Sequence, residues 1–123
     1  MIKNLFLVFV GGGLGSCLRF LLATYLNRSN AIPYGTWIAN ISGSLLIGLV
    51  LGLALKNEVF STQTTLLLAV GFCGGYTTFS TFAFENQIFI KNEQFLLFGI
   101  YTLGSLALGI AAVFVGLWIS RLF

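Results

Sequence analysis

Four long, mostly apolar runs make up most of this chain and leave only short connections between them. They cover residues 5–25, 36–55, 64–90 and 95–119 of the 123. A helix that crosses a bilayer needs about 20 predominantly apolar residues, within a range of about 17–25. Only 7% of the residues are charged, whereas a soluble domain carries about 25%. We therefore predict an all-α membrane protein in which residues 1–123 form a single domain of four transmembrane helices.

Acidic residues and histidine are too few for most kinds of enzyme. The chain has no His, and its three acids are Glu58, Glu85 and Glu93. His-based catalysis, paired carboxylates and most metal sites are thereby excluded. Cys17 and Cys73 both fall within apolar runs, where we expect them to be small residues of the membrane core. The six basic residues are scattered singly, so nucleic acid is not an expected partner.

The third run is longer than one span requires and contains two adjacent glycines, Gly74 and Gly75. Each glycine weakens a helix by roughly 1 kcal/mol relative to alanine, so we predict a break in the third helix at this pair. Irregular backbone at membrane depth is tolerated only where it is buried in protein or lines a cavity, and carbonyls freed by a break suit a small cation. Glycines four apart favour close helix packing and an oligomer; the pairs are Gly11/Gly15, Gly48/Gly52 and Gly71/Gly75.

The basic residues give almost no signal for orientation in the membrane. Four spans place both chain termini on the same side of the bilayer. That side carries Lys3, Lys56 and Arg121, and the other carries Arg28 and Lys91, with Arg19 nearer to the second. The cytoplasmic side normally carries a clear excess of Lys and Arg. The near tie has two interpretations: a sample of charges too small to be informative, or a chain that inserts in both orientations.

Five polar side chains inside the runs each have a structural and a functional interpretation. Asn40 either makes an interhelical hydrogen bond, worth about 0.6 kcal/mol on average, or lines a solute path. Arg19 has no acid in its own run, so it either snorkels to the interface or attracts anions from a water-filled vestibule. Glu85 either pairs with a basic residue or shapes a pore exit. Tyr101 and Ser105 share a helical face. Either Tyr101 anchors the helix at the membrane interface while the Ser105 hydroxyl bonds back to its own helix, or the two residues form a polar track.

Hydroxyl and aromatic side chains are interleaved just after the two glycines, in the sequence TTFSTF of residues 77–82. Phe79 and Phe82 are three apart and share one helical face, and Ser80 and Thr81 point toward neighbouring faces. Aromatic ring edges carry partial positive charge. Two edges beside hydroxyl and amide donors suit a small anion without the fixed charge that would trap it. The alternative interpretation is ordinary packing of two rings.

The same stretches resemble the Fluc (CrcB) family of fluoride channels across all four runs. The residues that carry the resemblance are GFCGGYTTFSTF at 71–82, GGGLGSCLR at 11–19 and GTWIANISGSLLIG at 35–48. Tyr76 departs from the family pattern, since an aliphatic residue is expected there. Gly109 is a second departure, because some members have a further serine at that position.

The resemblance implies an antiparallel, dual-topology homodimer in the bacterial plasma membrane that exports fluoride passively through two pathways. The pathway residues it implies are Asn40, Phe79, Ser80, Thr81, Phe82, Tyr101 and Ser105. It further implies that Arg19 lies in a vestibule and Glu85 near the pore end. The backbone carbonyls of Gly74 and Thr77 match positions that hold a structural sodium ion on the dimer axis.

Two other function classes share the small size of this chain. A four-helix multidrug exporter needs an acid in its first span for proton exchange, and the first run here has Arg19 and no acid. A helper subunit that only packs against a partner would account for the glycines but not for the polar residues of the later runs. A flux assay on liposomes that hold the purified protein alone would separate the three classes. The channel would pass fluoride, the exporter would take up drug in exchange for protons, and the helper subunit would do neither.

Overall fold

The computed structural model describes residues 1–29, 31–57 and 60–123. The chain forms α1 (Ile2–Leu26), α2 (Tyr34–Asn57), a third span over Thr62–Lys91 and a last helix, Phe95–Ser120. All four are long and apolar enough to cross a membrane. Large apolar side chains are exposed along their outer surfaces, as expected where lipid rather than water is the solvent. The predicted all-helical membrane protein with four spans is confirmed.

The third span is not a continuous α-helix. It begins as α3 (Thr62–Thr65), continues as a π-helix (Leu66–Cys73) and as α4 (Gly74–Tyr76), and resumes after a gap as α5 (Phe79–Lys91). The last helix of the chain is therefore α6 (Phe95–Ser120). Thr77 and Thr78, between α4 and α5, have extended backbone with ψ of 157° and 126°. The break thus lies at these two threonines.

The predicted position of the break, at Gly74 and Gly75, is wrong by a few residues. Both glycines are helical, and a Cβ on Gly75 would fall on the backbone carbonyl of Gly12 in α1. Gly75 therefore serves close packing rather than backbone freedom. The extended conformation suits the β-branched threonines, and the Thr78 side chain caps α5 by accepting from the Thr81 N–H at 3.2 Å.

Backbone-to-backbone contacts at glycines hold the helices together in two pairs. In the first, α1 lies against the opening half of the third span, and in the second, α2 packs along α6. A Cβ would meet backbone of the neighbouring helix at Gly11, Gly15, Gly71 and Gly75 in the first pair, and at Gly48 and Gly116 in the second. Such contacts let helices approach closely in a medium that offers no hydrophobic driving force. Close packing is thus confirmed for the predicted glycine pairs, with the difference that a Cβ on Gly52 would meet the Ser120 side chain rather than backbone.

A tight turn brings α6 back against α5. Glu93 adopts a left-handed φ of 56°, and the N–H groups of Glu93 and Gln94 donate to Ile90 and Phe89 carbonyls at 3.1 and 2.8 Å. This is the hydrogen-bond pattern of a Schellman motif, which satisfies carbonyls at a helix end. Behind the turn, α5 and α6 enclose a small aromatic core made of Phe82, Phe89 and Tyr101. That core fixes the position of α5 beside the break.

Candidate functional site

Asn40 of α2 clamps the break in the third span. Its Oδ1 accepts from the Thr78 N–H at 2.7 Å, and its Nδ2 donates to the Thr78 carbonyl at 3.1 Å. Backbone groups left unpaired at membrane depth are costly, and one side-chain amide here satisfies both groups of one residue. The structural interpretation of Asn40 as an interhelical bond is therefore realised in the structure. An amide nitrogen has two hydrogens, so one N–H remains for another partner.

A cavity of about 310 Å³ opens beside the break, and we call it the break groove. The residues that line it are Asn40, Gly43, Ser44, Ile47, Cys73, Gly74, Thr77, Thr78, Phe79, Phe82, Ser105 and Leu106. The groove thus brings together Asn40, Phe79, Phe82 and Ser105, four of the seven residues predicted for the ion pathway. None of the described residues that line it carries a charge.

The two phenylalanines differ in how firmly the subunit holds them. Their ring centroids lie 5.9 Å apart with the planes tilted by 47°. Phe82 is buried, and its ring packs at 5.2 Å on that of Tyr101. Phe79 is 77% exposed. One ring of the predicted pair is therefore fixed by α6, and the other has an open face at the groove.

Ser105 of α6 contributes a hydroxyl without a partner. Its Oγ is buried and makes no hydrogen bond within the described part of the chain. Leaving a buried hydroxyl unpaired is unfavourable by roughly 1–3 kcal/mol, so this atom is suited to contact a water molecule or an ion. Nearby, the Ser44 hydroxyl donates to the Asn40 carbonyl at 2.7 Å. A Cβ on Gly109 would lie 3.7 Å from the Ser44 Oγ. A serine at position 109, as in some members of the family, would therefore extend this polar surface.

Three other predicted pathway residues lie outside the lining of the groove. Ser80 is exposed, and its hydroxyl oxygen lies 3.3 Å from that of Thr78. The Thr81 contact is through its backbone N–H, which donates to the Thr78 cap. Tyr101 is completely buried, and its hydroxyl donates to Glu85 at 2.5 Å. The role of these three residues in the pathway stays a prediction.

Arg19 of α1 reaches the third span. Its Nε donates to the Gly75 carbonyl at 3.1 Å, and the Ser16 hydroxyl donates to the same carbonyl at 3.3 Å. These two donors satisfy a carbonyl close to the end of α4. A guanidinium has five N–H donors, so most of its hydrogen-bonding capacity is left for water or an anion. The vestibule assignment of Arg19 stays a prediction.

The carbonyls of Gly74 and Thr77 fit a small cation. In a continuous helix they would accept from the N–H groups of Thr78 and Thr81. Here the Thr78 N–H donates to Asn40, and the Thr81 N–H donates to the Thr78 hydroxyl. Apart from the backbone next to it in its own helix, no atom of the described residues lies within 4 Å of the position a Cβ would take on Gly74, so space is open there. Unwound carbonyls of this kind suit a sodium ion, though two from one chain make only part of a coordination shell.

Tyr76, which departs from the family pattern, has a hydrogen-bond partner for its hydroxyl group. Its hydroxyl oxygen lies 2.9 Å from that of Ser42, and its ring stacks on Phe72 at 5.5 Å.

The two cysteines are both free. Cys73 is buried and lines the break groove, whereas Cys17 is exposed on the surface of α1. Both lie within helices long and apolar enough to cross a membrane.

A second polar group, the Glu85 cluster, consists of Asn27, Thr36, Glu85 and Tyr101. Oε1 of Glu85 accepts from the Thr36 hydroxyl at 2.7 Å and from the Asn27 Nδ2 at 3.4 Å, and Oε2 accepts from Tyr101. The partners described for Glu85 are neutral donors, not the basic residue that its structural interpretation predicted. The cluster joins the end of α1, the start of α2, α5 and α6.

Sequence reasoning missed Asn27 and Thr36. The available signal was positional, because Asn27 lies two residues after the first apolar run and Thr36 opens the second. Only the fold shows that Thr36 is almost fully buried, at 1% exposure.

Comparison with known proteins finds a match along nearly the whole chain. Residues 6–117 match the family described as "CrcB-like protein, Camphor Resistance (CrcB)". A fluoride-specific ion channel FluC of Gloeothece citriformis is 47% identical over 120 residues, which cover 96% of this chain and 97% of the relative. The protein of the same name from Phocaeicola vulgatus is 40% identical, with 97% and 99% covered. That from Oceanobacillus iheyensis is 35% identical, with 93% and 88% covered.

Proposed function

This chain belongs to the CrcB-like family, and on that premise we propose that it is a fluoride-selective channel giving passive export of fluoride from the cytoplasm. It is a multi-pass membrane protein and not an enzyme. The observation that carries the proposal is the break groove, where an amide, a free hydroxyl and two aromatic rings meet. Its described lining is uncharged, which suits conduction because a strong fixed charge would hold the ion.

The proposed ion path uses donors that remain after the subunit has folded. Asn40 keeps one amide N–H, and Ser105 keeps its hydroxyl hydrogen. Phe79 and Phe82 present ring edges to the ion. Ser80, Thr81 and Tyr101 belong to the proposed path on the strength of the family pattern. Arg19 then raises the local anion concentration in the vestibule, and Glu85 marks the pore end.

We further propose that the functional unit is an antiparallel dimer of two such subunits with one path on each side. The exposed Phe79 ring and the open space at Gly74 lie on the same groove, and a second copy would cover both. The near-tied distribution of basic residues allows the partner to insert upside down. In that arrangement the two breaks meet at mid-membrane.

A sodium ion at the meeting point would complete the dimer. The Gly74 and Thr77 carbonyls would hold it, and the partner would supply an equal pair. When bound, the ion would be held by the negative ends of the carbonyl dipoles of both subunits. The support for this proposal is the loss of the normal helical donors to these two carbonyls.

Fluoride efflux from liposomes that contain only the purified chain tests the proposed function. We expect fluoride, measured with an electrode, to leave potassium fluoride-loaded liposomes when valinomycin balances the charge. Chloride-loaded liposomes should retain their chloride over the same time. Proton-coupled uptake of a cationic drug would favour the exporter class, and no transport of either kind would favour the helper class.

Cysteine labelling from outside intact cells tests the antiparallel arrangement. Cys17 and Cys73 are first replaced by alanine, and a single cysteine is then introduced at Gln63, in the first turn of α3, or at Asn92, just after α5. Both positions are exposed, and they lie at opposite ends of the third span. Dual insertion predicts partial labelling at each position. Complete labelling at one position and none at the other would contradict the antiparallel dimer.

A further inference from the structure

We propose that Asn27 is a positioning residue for the ion pathway, acting through Glu85 and Tyr101 on the ring of Phe82. This inference rests on the proposed function, because the pathway it concerns is the one proposed for fluoride. Asn27 does not belong to the lining of the break groove. Its side chain instead links two helix ends to the Glu85 cluster.

One half of the Asn27 amide caps a helix. Its Oδ1 accepts from the N–H groups of Gly35 and Thr36 at 2.7 and 3.3 Å. These are two of the N–H groups that the start of α2 leaves without helical partners. Asn27 is itself the residue that follows the last turn of α1. The carbonyl oxygen therefore ties the end of α1 to the start of α2.

The other half of the amide sets the direction of a hydroxyl. Nδ2 donates to the Thr36 Oγ1 at 3.1 Å and to Oε1 of Glu85 at 3.4 Å. Because the Thr36 oxygen accepts from Asn27, its own hydrogen is directed at Glu85, 2.7 Å away. Asn27 thus donates to the carboxylate once directly and orients a second donor toward it.

The Glu85 carboxylate connects Asn27 to the pathway through Tyr101. Glu85 Oε2 accepts from the Tyr101 hydroxyl at 2.5 Å, which fixes the rotation of a ring that is completely buried. Tyr101 in turn packs at 5.2 Å on Phe82, one of the two rings of the break groove. Asn27 and the wall of the groove are therefore connected by three successive contacts.

Asn27→Asp separates the capping role from the positioning role. Aspartate keeps an acceptor for the α2 N–H groups, and a negative charge at a helix start is favourable. The same change replaces the Nδ2 donor by an oxygen that faces Glu85 and accepts the Thr36 hydrogen. A purely capping Asn27 predicts normal flux in this variant, whereas a positioning Asn27 predicts a fall.

The test measures fluoride efflux per reconstituted dimer for four variants. We expect Asn27→Asp and Glu85→Gln each to lower the rate at least about tenfold, because each leaves buried groups without matching partners. The double variant exchanges donor and acceptor between the two positions, since the new amide at position 85 can donate to the new carboxylate at position 27 and accept from Tyr101. Its rate should return to within about threefold of the unaltered protein. Asn92→Asp adds the same charge at an exposed position that follows α5 and should leave the rate within about twofold of the unaltered protein, as expected for a surface substitution.

Two results would overturn the inference. One is an Asn27→Asp variant that conducts within about twofold of the unaltered protein, a difference too small for the loss of a partly buried donor. The other is a double variant that fails to fold or conducts no faster than Glu85→Gln alone, a comparison that holds even where Asn27→Asp cannot be purified. An unaltered protein that passes no fluoride would instead refute the proposed function. The coupling between Asn27 and Glu85 would still be measurable then, from the melting temperatures of the same variants.

Discussion

The Glu85 cluster and the break groove are both polar regions inside a membrane protein, but they differ in how their polar groups are satisfied. In the cluster, the hydroxyls of Thr36 and Tyr101 both donate to the Glu85 carboxylate. In the groove, the Ser105 hydroxyl has no partner within the described residues, and the face of Gly74 is open. The cluster is complete within one subunit, whereas the groove is not.

This difference indicates which region the fold needs and which region a ligand needs. An unsatisfied polar group at membrane depth is costly, so it persists where something outside the subunit supplies the missing contact. For the groove, that contact is the proposed fluoride ion, the proposed sodium ion or the second subunit. Substitutions in the cluster should therefore reduce stability together with flux, whereas substitutions in the groove should reduce flux or dimerisation with little change in stability.

The largest effect is expected at two adjacent glycines, of which Gly75 is packed against α1 and Gly74 lines the open break groove. Gly75→Ala places a Cβ on the Gly12 backbone carbonyl, which no side-chain movement can relieve, so we expect little or no folded protein. The Cβ added by Gly74→Ala meets no packed neighbour within 4 Å in the described part of the chain, so this variant should be recovered folded. Size-exclusion chromatography of the solubilised proteins measures both. Equal recovery of the two variants would contradict the assignment of the closed and open faces.

Asn40→Asp should abolish most fluoride flux. The change replaces the amide donor by a negative charge that faces the Thr78 carbonyl, now held by Nδ2 at 3.1 Å, and that repels an anion in a region of low dielectric. We expect efflux to fall by at least about a hundredfold, which corresponds to roughly 2.7 kcal/mol. Asn40→Ser, which is neutral, should retain more flux than Asn40→Asp. Equal flux in the two variants would remove the electrostatic part of this account.

Removing one hydroxyl from each region compares them directly. Tyr101→Phe deletes a donor to the Glu85 carboxylate, so it should lower the free energy of unfolding by roughly 1.5–3 kcal/mol. Ser105→Ala deletes a hydroxyl with no partner, so stability should change by less than about 0.5 kcal/mol while fluoride efflux falls several-fold. Melting temperature and efflux are measured on the same preparations. A Ser105→Ala variant with unchanged efflux would make that hydroxyl a packing residue.

The smallest effect concerns the serine that some relatives have and this chain lacks. A side chain at Gly109 would lie in ordinary contact with the Ser44 hydroxyl, at 3.7 Å. Gly109→Ser should therefore fold normally and raise efflux by at most about twofold, because it lengthens the polar surface without changing the rings. Gly109→Ala is the matched control, since it adds the same Cβ without a hydroxyl. A difference between these two variants isolates the contribution of the hydroxyl.

The four spans could be predicted because long apolar runs have few other uses. The position of the break could not, because helix propensity describes glycine as a weak point and says nothing about its neighbours. Gly75 lies within a helix, and a glycine is needed there because the close approach of α1 leaves no room for a side chain. The extended residues are Thr77 and Thr78, and the backbone groups of Thr78 are paired by the Asn40 amide from another helix.

The site was predictable to a different degree in the two regions. The family pattern and the chemistry of the side chains placed Asn40, Phe79, Phe82 and Ser105 near one another, and the structure brings them into one groove. The Glu85 cluster depends on contacts between distant parts of the chain. Thr36 and Glu85 are 49 residues apart, and nothing in the local sequence of either residue indicates the other.

Replacement of the two pathway rings by isoleucine is the most direct test of the central claim, that fluoride passes along the break groove. Phe79→Ile and Phe82→Ile keep an apolar side chain but remove the ring edge, and apolar exchanges of similar volume usually cost below about 1.5 kcal/mol. The account predicts that each variant elutes like the unaltered protein and that its fluoride efflux falls at least about tenfold, or roughly 1.4 kcal/mol. Normal efflux from both variants would contradict the account, since the rings would then only pack.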